Sequence, residues 1–406
     1  MDPRLCVLCR GRGLCGRAYC PILAKASALA SLSPRLGSST EFSGYSPPAI
    51  FVGRKGYPKV FAGPGASPSL EKALVGDHPE RWASMDLSEV LSVRLSTVFG
   101  RRKVLVTNLS SSYVSKLIEL ALSTKPMDVE LLFEKPPRIR VSLSAFEPPM
   151  GPQGIARDVR VYGSSSSWRA VERVHSDWDL SASKAIVELY RCGAPVSLIQ
   201  RLLSVGAIGR KQSRRLVPTR WAITAVDDTL SRWILERVKR FPELSEAQAM
   251  YLRTKGNLFV AILLPSKWSF EWMEAWFPGS TWNPSGSTVV IEGDYEGFGG
   301  RKDYPSIGGC YFASRLAIAE YLYRIGRQAA VVTLREIYPG FDIPVGVWFV
   351  RECVRKLTRV KPVRIGSVRE LKEFLDRVTV LGSRVWISRS RILGRLVRSR
   401  RLDEYL

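Results

Sequence analysis

The sequence predicts a mixed α/β (α+β) protein with an N-terminal four-cysteine zinc module and a basic C-terminal tail. Runs with helical and with strand periodicity alternate along the chain, four cysteines crowd the first 20 residues, and arginine is concentrated near the C-terminus. With 406 residues, 45% of them hydrophobic, the chain can bury a sizeable core and is expected to form more than one domain.

The segment after the cysteines contains a predicted hairpin. Phe51–Val52 and Val60–Phe61 have the character of short strands, and glycines flank Arg54 and Lys55 at the turn between them. Such a turn either presents backbone N–H groups and two cations to a phosphate or is simply a solvated tip.

Apolar periodicity predicts the remaining elements. Helices are expected over 86–99, 112–123, Ser181–Tyr190, Val196–Leu203, Val226–Val238, Phe270–Trp276, Ala313–Tyr323 and Val368–Val378. Strands are expected over Lys103–Thr107, Val129–Phe133, Arg138–Ser142, Arg157–Tyr162, Leu258–Leu264, Thr288–Glu292 and Ala329–Leu334. Ser367 and Glu370 suit a capping box at the start of the last helix. The chain then divides into a zinc finger at 1–23, a linker at 24–40, mixed α/β domains at 41–241 and 242–380, and a basic tail at 381–406.

Charge is the main clue to a partner. Lys and Arg total 61 against 37 acidic residues, which gives a net charge of +24. Such a surplus attracts polyanions, and DNA is the expected partner, although a GC-rich genome or adaptation to heat also enriches arginine. No apolar run reaches the ~18 residues of a membrane span, and no secretory signal is seen. We expect a cytoplasmic, nucleoid-associated protein without a membrane partner.

The N-terminal cysteines follow the spacing C-x2-C-x5-C-x4-C. Four thiolates at this spacing suit one structural Zn2+, held by Cys6, Cys9, Cys15 and Cys20. Two disulfides or an iron–sulfur cluster are the alternatives, of which the first needs an oxidising compartment. Three further cysteines lie in apolar surroundings and are expected to be buried in the core; they are Cys192, Cys310 and Cys353.

Acidic pairs provide a candidate catalytic group. If they converge, they could bind Mg2+ or Mn2+ for phosphodiester cleavage; they are Asp177, Asp179, Asp227 and Asp228. Asp294 and Glu296 form a further acidic pair. In the structural alternative, the first pair caps a helix near Ser181 and the second lies in the first turn of a helix.

Basic residues provide the candidate DNA contacts. They are Arg54, Lys55, Arg210, Lys211, Arg214, Arg215, Arg220 and Arg301. Arginine and lysine bind phosphate through charge and hydrogen bonds, which gives affinity without sequence preference. The segment around residue 210 could equally be a solvated loop.

Several motifs resemble one known family. They are L-C-V-L-C from Leu5, F-S-G-Y-S-P-P-A-I-F-V-G-R-K-G-Y-P-K-V from Phe42, S-D-W-D-L from Ser176, L-V-P-T-R-W-A-I-T-A-V-D-D from Leu216, G-G-C-Y-F-A-S-R-L-A-I-A-E-Y-L from Gly308 and P-V-G-V-W-F-V-R-E from Pro344. In this order they resemble the archaeal Nre DNA repair family. The resemblance implies a role in DNA damage repair, an N-terminal four-cysteine zinc finger and a C-terminal motif that docks on the sliding clamp (PCNA).

The chain ends S-R-R-L-D-E-Y-L, which fits the clamp-docking pattern Q-x-x-h-x-x-a-a. Leu402, Tyr405 and Leu406 would enter an apolar pocket of the clamp, with Ser399 where glutamine is usual. Alternatively, the tail is an amphipathic helix that packs against the protein's own core, since Ile392, Leu393, Leu396 and Val397 form a helical apolar stripe.

The leading hypothesis is a DNA repair factor that binds DNA and docks on the sliding clamp. A divalent-metal-dependent DNA repair nuclease is the first alternative, so enzyme activity stays open. An RNA-binding zinc protein is the second, because zinc and positive charge suit RNA equally well. The P-loop motif of nucleotide hydrolases is absent from the sequence.

Overall fold

The structure is a computed structural model that describes residues 8–9, 12, 14, 20, 23, 38–46, 50–76, 78–138, 150–341 and 344–398. The chain forms two compact units. The N-terminal unit comprises residues 20–230, and the C-terminal unit comprises residues 1–19 together with 231–406.

The N-terminal unit is built on a six-stranded mixed sheet. Its strands are β1 Glu41–Ser46, β2 Ile50–Val52, β3 Lys59–Ala66, β4 Val98–Leu105, β5 Met127–Phe133 and β6 Gln153–Tyr162. The order across the sheet is β1-β5-β6-β4-β3-β2. Strands β4 and β6 are parallel, whereas the other neighbouring pairs are antiparallel. The predicted hairpin of β2 and β3 is confirmed.

The helices that begin in this unit are α1 Leu70–Val75, α2 Pro79–Trp82, α3 Leu87–Leu95, α4 Ser112–Leu122, α5 Arg169–Ser176, α6 Ala182–Arg191, α7 Val196–Ser204 and α8 Thr219–Val238. Helix α4 packs on β3 and β6, and α7 packs on α4. Because α4 has an apolar stripe, Val114, Leu117 and Leu120 are fully buried there.

The C-terminal unit has a second mixed sheet between two helical layers. Its strands are β7 Ala247–Thr254, β8 Asn257–Leu264, β9 Ser269–Trp276, β10 Val290–Glu296, β11 Ala330–Ile337 and β12 Val363–Ile365, in the order β10-β9-β11-β8-β7-β12. Helices α9 Cys310–Ile325 and α10 Trp348–Leu357 cover one face. Helices α11 Val368–Val378, α12 Gly382–Arg389 and α13 Arg391–Arg398 cover the other, where they share one apolar core with the strands.

The mixed α/β class is confirmed, but one predicted helix is wrong. Residues Phe270–Trp276 belong to strand β9, which pairs antiparallel with β10 and parallel with β11. Glu271 and Glu274 lie on opposite faces of this strand, and both are buried with partners. Glu271 and Glu274 are three residues apart, a spacing that also places two residues on one face of a helix. Their partners lie far away in the sequence, so local residues alone did not indicate a strand.

Other boundaries differ by a few residues. The helix predicted over 86–99 ends at Leu95, because β4 begins at Val98. The helix predicted from Val226 begins at Thr219. Of the strand predicted at Arg138–Ser142, Arg138 forms a single bridge with Gln153, and 139–142 lie outside the described residues.

The predicted basic tail is also corrected. Residues 382–398 form α12 and α13, which pack against the second sheet instead of extending as a tail. Ile392 and Leu393 are buried, whereas Val397 is 37% exposed. The amphipathic alternative therefore describes this part of the segment, while the docking motif at 399–406 lies outside the described residues. Among the described helices, none combines the length and apolar character that crossing a membrane requires.

The three internal cysteines differ in exposure. Cys353 is buried, and burial raises the pKa of its thiol to about 12. Cys310 is partly buried, and desolvation, followed by the Glu274 carboxylate, raises the pKa of its thiol well above the ordinary value. Cys192 is exposed at the end of α6, which corrects its predicted core position.

Candidate nucleic-acid interface

The turn between β2 and β3 carries the first group of exposed basic residues. The turn closes through hydrogen bonds in which the Gly53 amide donates to the Phe61 carbonyl at 2.7 Å and the Lys59 amide donates to the Gly56 carbonyl at 2.9 Å. Gly56 has φ +82°, a conformation that residues with a Cβ rarely adopt. The turn therefore holds Arg54 and Lys55 at the surface.

A hydrogen bond and a ring contact join this hairpin to the start of α8. The Val52 amide donates to Thr219 Oγ1 at 2.9 Å. The rings of Tyr57 and Trp221 have centroids 5.3 Å apart at an interplanar angle of 47°. Although they touch, Tyr57 remains 42% exposed and Trp221 46% exposed. Arg220, next to Trp221, is exposed as well.

The segment that precedes α8 is fixed by backbone hydrogen bonds. The Leu216 amide donates to the Val106 carbonyl and the Val217 amide to the Ser204 carbonyl, both at 2.8 Å. Gly206 allows a close approach, because a Cβ on it would lie 2.7 Å from the carbonyl oxygen of Arg215. This backbone is therefore packed in place, and Arg215 is exposed on it.

A second exposed tryptophan lies at the other end of this segment. The ammonium Nζ of Lys211 lies 3.6 Å from the centroid of the Trp178 ring, and the Lys211 amide donates to the Trp178 carbonyl at 2.9 Å. Asp177 Oδ1 accepts from the amides of Asp179 and Leu180 and so closes the turn that carries Trp178. Trp178 is 59% exposed, which is unusual for so large an apolar ring.

Arg214 stands apart from its neighbours because its guanidinium supports the backbone. It donates from Nε to the Gly209 carbonyl at 2.6 Å and from Nη2 to the Asp177 carbonyl at 2.9 Å. Burial lowers the pKa of this guanidinium below its ordinary value, and the nearby Asp177 opposes the shift. We therefore assign Arg214 a positioning role.

Together these side chains form two groups, linked by the segment 211–221, that we call the tryptophan–arginine strip. It consists of Arg54, Lys55, Tyr57, Trp178, Arg210, Lys211, Arg215, Arg220 and Trp221. In the part of the chain that the structure describes, no carboxylate forms an ion pair with Arg210, Lys211, Arg215 or Arg220. Their charge is available to an external anion, and such basic surfaces with open rings are typical of nucleic-acid-binding proteins.

The structure does not bring the four candidate aspartates together as a metal site. Asp177 and Asp179 are exposed. Asp227 is fully buried and accepts a 3.0 Å hydrogen bond from Gln200 Nε2. Asp227 and Asp228 lie in the middle of α8, so their predicted place in its first turn is wrong. Within the described ranges, no three His, Cys, Asp or Glu side chains form a group that could hold a metal ion.

Arg301 and the third acidic pair have partners inside the C-terminal unit. Arg301 Nη1 lies 2.8 Å from Asp294 Oδ1 and also donates to the Tyr295 carbonyl. Glu296 pairs with Arg315 at 2.7 Å. These contacts explain the basic and acidic residues of this loop structurally, so we do not include Arg301 in the strip.

Only part of the four-cysteine motif can be described. The Arg12 amide donates to the Cys9 carbonyl at 2.8 Å, and the Leu14 amide donates to Cys9 Sγ at 3.2 Å. This tight turn, with an N–H group directed at sulfur, suits a metal-binding thiolate. Cys20 is half-buried. Cys6 and Cys15 lie outside the described residues, so the zinc site stays a prediction.

The fold and its surface define a class of protein: a two-unit α/β protein with a basic surface that carries exposed aromatic rings. Residues 14–283 match the family model described as archaeal Nre, N-terminal, and residues 296–405 match archaeal Nre, C-terminal. The chain belongs to the archaeal Nre family.

Curated relatives align along most of the chain. DNA repair protein NreB of Archaeoglobus fulgidus is 43% identical and aligns over 99% of this chain and 100% of its own. DNA repair protein NreA of the same organism is 33% identical over 94% and 93%. DNA repair protein NreA of Haloferax volcanii is 35% identical over 76% of each chain. No solved structure matches the chain.

Proposed function

We propose that this protein is a DNA repair factor that binds DNA through the tryptophan–arginine strip. The relatives that align over nearly all of the chain are named DNA repair proteins. The observation that carries the DNA contact is a set of exposed cations that form no ion pair with any carboxylate of the residues that the structure describes: Arg210, Lys211, Arg215 and Arg220. Such cations neutralise phosphates whatever the base sequence.

Salt dependence tests this proposal. Binding to a fluorescent duplex is expected to weaken steeply between about 50 and about 200 mM salt, because each bound cation releases a counterion from DNA. Arg215→Ala and Arg220→Ala should each weaken binding for all sequences and reduce the salt slope by about 0.9.

Arg369→Ala is the matched control, because Arg369 is a highly exposed arginine of the C-terminal unit that pairs with Glu373. It should leave the slope unchanged. A flat salt response of the native protein, or equal slopes for all variants, would contradict the proposal. Competition with RNA of the same length tests the RNA-binding alternative. That alternative would be favoured if RNA displaced the fluorescent duplex far better than unlabelled DNA does.

We further propose that the C-terminus docks on the sliding clamp through Ser399, Leu402, Tyr405 and Leu406. The support is the spacing of these residues and the place where they begin. Helix α13 ends at Arg398 and is bound to the second sheet through Ile392 and Leu393, so the motif directly follows a fixed element. A short segment tethered in this way can insert apolar side chains into a pocket of a partner.

Deletion of residues 399–406 tests the docking proposal, with clamp binding measured by calorimetry. The shortened chain should lose binding, and Tyr405→Ala should weaken it strongly, while both retain the native melting temperature. Arg400→Ala is a control that leaves Leu402, Tyr405 and Leu406 intact and should change clamp affinity only at low salt. Unchanged affinity of the shortened chain would overturn this part of the proposal.

The third part of the proposal is one structural Zn2+ held by Cys6, Cys9, Cys15 and Cys20. The N–H···S contact at Cys9 and the four-thiol set support it. Zinc in this position would fix the fold of a segment that is too short to bury a core of its own.

A further inference from the structure

We infer that the tryptophan–arginine strip receives unpaired DNA strands, whose bases stack on Trp178 and on the Tyr57–Trp221 pair. The inference rests on the proposed DNA-binding function and adds the class of DNA. It follows from the aromatic rings of the strip, which phosphate binding alone does not require.

The first observation is the exposure of the rings. Trp178 is 59% exposed, Trp221 46% and Tyr57 42%. Single exposed rings are ordinary on protein surfaces, and what distinguishes these three is an exposed cation close by, which lies over Trp178 and, along the chain, near Tyr57 and next to Trp221. Since the backbone around each ring is fixed by hydrogen bonds, this exposure is a property of the folded surface.

The second observation is the pairing of rings with cations. Lys211 Nζ covers one face of Trp178 at 3.6 Å, so the exposed area of this ring belongs to its opposite face and its edges. Arg210 and Arg215 are exposed on the segment that carries Lys211, and they supply charge for the phosphates of a strand whose base stacks on the open face. At the other ring pair, Arg220 and the Arg54–Lys55 turn supply the charge. Base stacking next to backbone cations is the usual way of binding single strands.

The third observation is that the two aromatic sites are connected. Residues 211–221 run from the Lys211 contact with Trp178 to the Trp221 contact with Tyr57. Leu216, midway, is bound to the Val106 carbonyl, and the Val106 amide in turn donates to the Pro58 carbonyl of the hairpin. The strip therefore presents two stacking sites joined by one fixed segment that carries Arg215 and Arg220, and a single strand that follows this segment would use both.

Duplex DNA suits these rings poorly. Its bases are stacked on each other and expose only their edges in the grooves, so a ring face can stack on a base only after pairing is disrupted. Because every base has a π-face, stacking on the strip tolerates any sequence. Gapped, frayed or flapped DNA offers such strands, and these are intermediates of many repair reactions.

The test compares three ligands of equal length at one salt concentration: oligothymidine of about 12 nucleotides, a strand of abasic sites with the same phosphates, and a duplex. Oligothymidine should bind the full-length protein roughly tenfold more tightly than the abasic strand, because only the former can stack. Tryptophan fluorescence should be quenched by oligothymidine and not by the abasic strand.

Variants locate the effect. Trp178→Ala and Trp221→Ala should each weaken oligothymidine binding by roughly tenfold, leave abasic binding unchanged and keep the salt slope, whereas the phenylalanine variants at both positions should retain most of the affinity. Trp168→Ala is the matched control, because Trp168 is exposed and lies at the opposite end of α5 from Trp178. Melting curves confirm that each variant is folded.

The outcomes separate the two claims. Equal, salt-dependent binding of oligothymidine and the abasic strand would overturn the stacking inference and leave phosphate-based DNA binding standing. Tighter binding of the duplex than of oligothymidine would also overturn it. Loss of salt-dependent binding to all three ligands would overturn the proposed function itself.

Discussion

Arg315 and Glu296 form an ion pair in which both side chains are almost completely buried. Arg315 Nη1 lies 2.7 Å from Glu296 Oε2, and the side chains are 2% and 1% exposed. Trp268 Nε1 donates to the same carboxylate at 3.2 Å, and Arg315 Nε donates to Ser231 Oγ at 3.1 Å. The pair thus connects β10, α9 and the segments around them, and each charge needs the other because water is excluded.

Removal of one partner should therefore destabilise the protein strongly. Glu296→Ala is expected to lower the free energy of unfolding by about 3–5 kcal/mol, because it leaves a buried guanidinium without its counter-charge. Urea denaturation followed by circular dichroism measures the change. The exposed pair of Arg369 and Glu373 provides the control, and Arg369→Ala should change stability by less than about 0.5 kcal/mol. Equal urea midpoints for Glu296→Ala and Arg369→Ala would contradict the stabilising role of the buried pair.

Glu271 should hold the last helix in place. Its carboxylate accepts from Ser390 Oγ at 2.6 Å and from the amides of Arg391 and Ile392 at 2.7 and 3.1 Å, and so it caps the N-terminus of α13. Glu271→Ala should release α13, so that hydrogen exchange at 391–398 becomes faster. Each charged hydrogen bond that is removed should lower the stability of this region by at most about 1.5–3 kcal/mol. Glu271→Gln, which keeps one acceptor, should show a smaller effect.

Trypsin gives an independent readout, since Arg389 and Arg391 lie at the junction of α12 and α13. Cleavage there should be faster in Glu271→Ala than in the native protein. Native-like exchange in this variant would show that the apolar contacts of Ile392 and Leu393 hold the helix without the cap.

His78 should make stability depend on pH. Burial, followed by the charges of Arg201 and Arg81, lowers the pKa of His78 from 6.5 to about 4, while Glu80 opposes the shift. The folded state therefore keeps this imidazole neutral while the unfolded chain takes up a proton below pH 6.5. The stability that the neutral His78 contributes is fully present above pH 6.5 and is lost as the pH falls towards 4. The loss in free energy of unfolding is no more than about 3 kcal/mol.

The comparison of the native protein with His78→Gln isolates this effect from the carboxylates, which titrate in both. Between pH 7 and pH 4.5, the native protein should lose more stability than His78→Gln does, as measured by urea midpoints. Parallel losses in the two proteins would show that His78 is protonated in the folded state without strain.

Purified protein should contain one zinc ion per chain. Cys9→Ser should lower the zinc content, because it removes one of four ligands, whereas Cys192→Ser, at an exposed thiol outside the motif, should not. Elemental analysis provides the measurement. Iron with labile sulfide in place of zinc, or no metal in the native protein, would contradict the prediction.

Local signals in the sequence were sufficient for several elements. Helix α11 has the predicted bounds Val368–Val378, and Ser367 accepts from the Glu370 amide as the capping box requires. Glu370 itself accepts from the Gly366 amide instead of from Ser367, so only half of the box forms as predicted. These features follow from residues within one or two turns of each other, which is why the sequence alone predicts them.

Features that join distant segments could not be predicted in this way. The local sequence pattern predicts a helix at Glu271, whereas its partners at 390–392 lie about 120 positions away and can be found only in the structure. Trp178 and Trp221 were not among the predicted contact residues, although Asp177 and Asp179 on either side of Trp178 offered a weak signal of exposure.

The sequence by itself determined the α/β class, the cation surplus and the family. Each of these depends on composition, on short-range periodicity or on motifs in order along the chain. Only the tertiary structure decided which cations pair with an acid, which acids are buried in hydrogen bonds and which rings remain open. The physical reason is that burial and charge pairing are set by contacts between residues remote in sequence, as when the Val52 amide binds Thr219 and places Tyr57 beside Trp221.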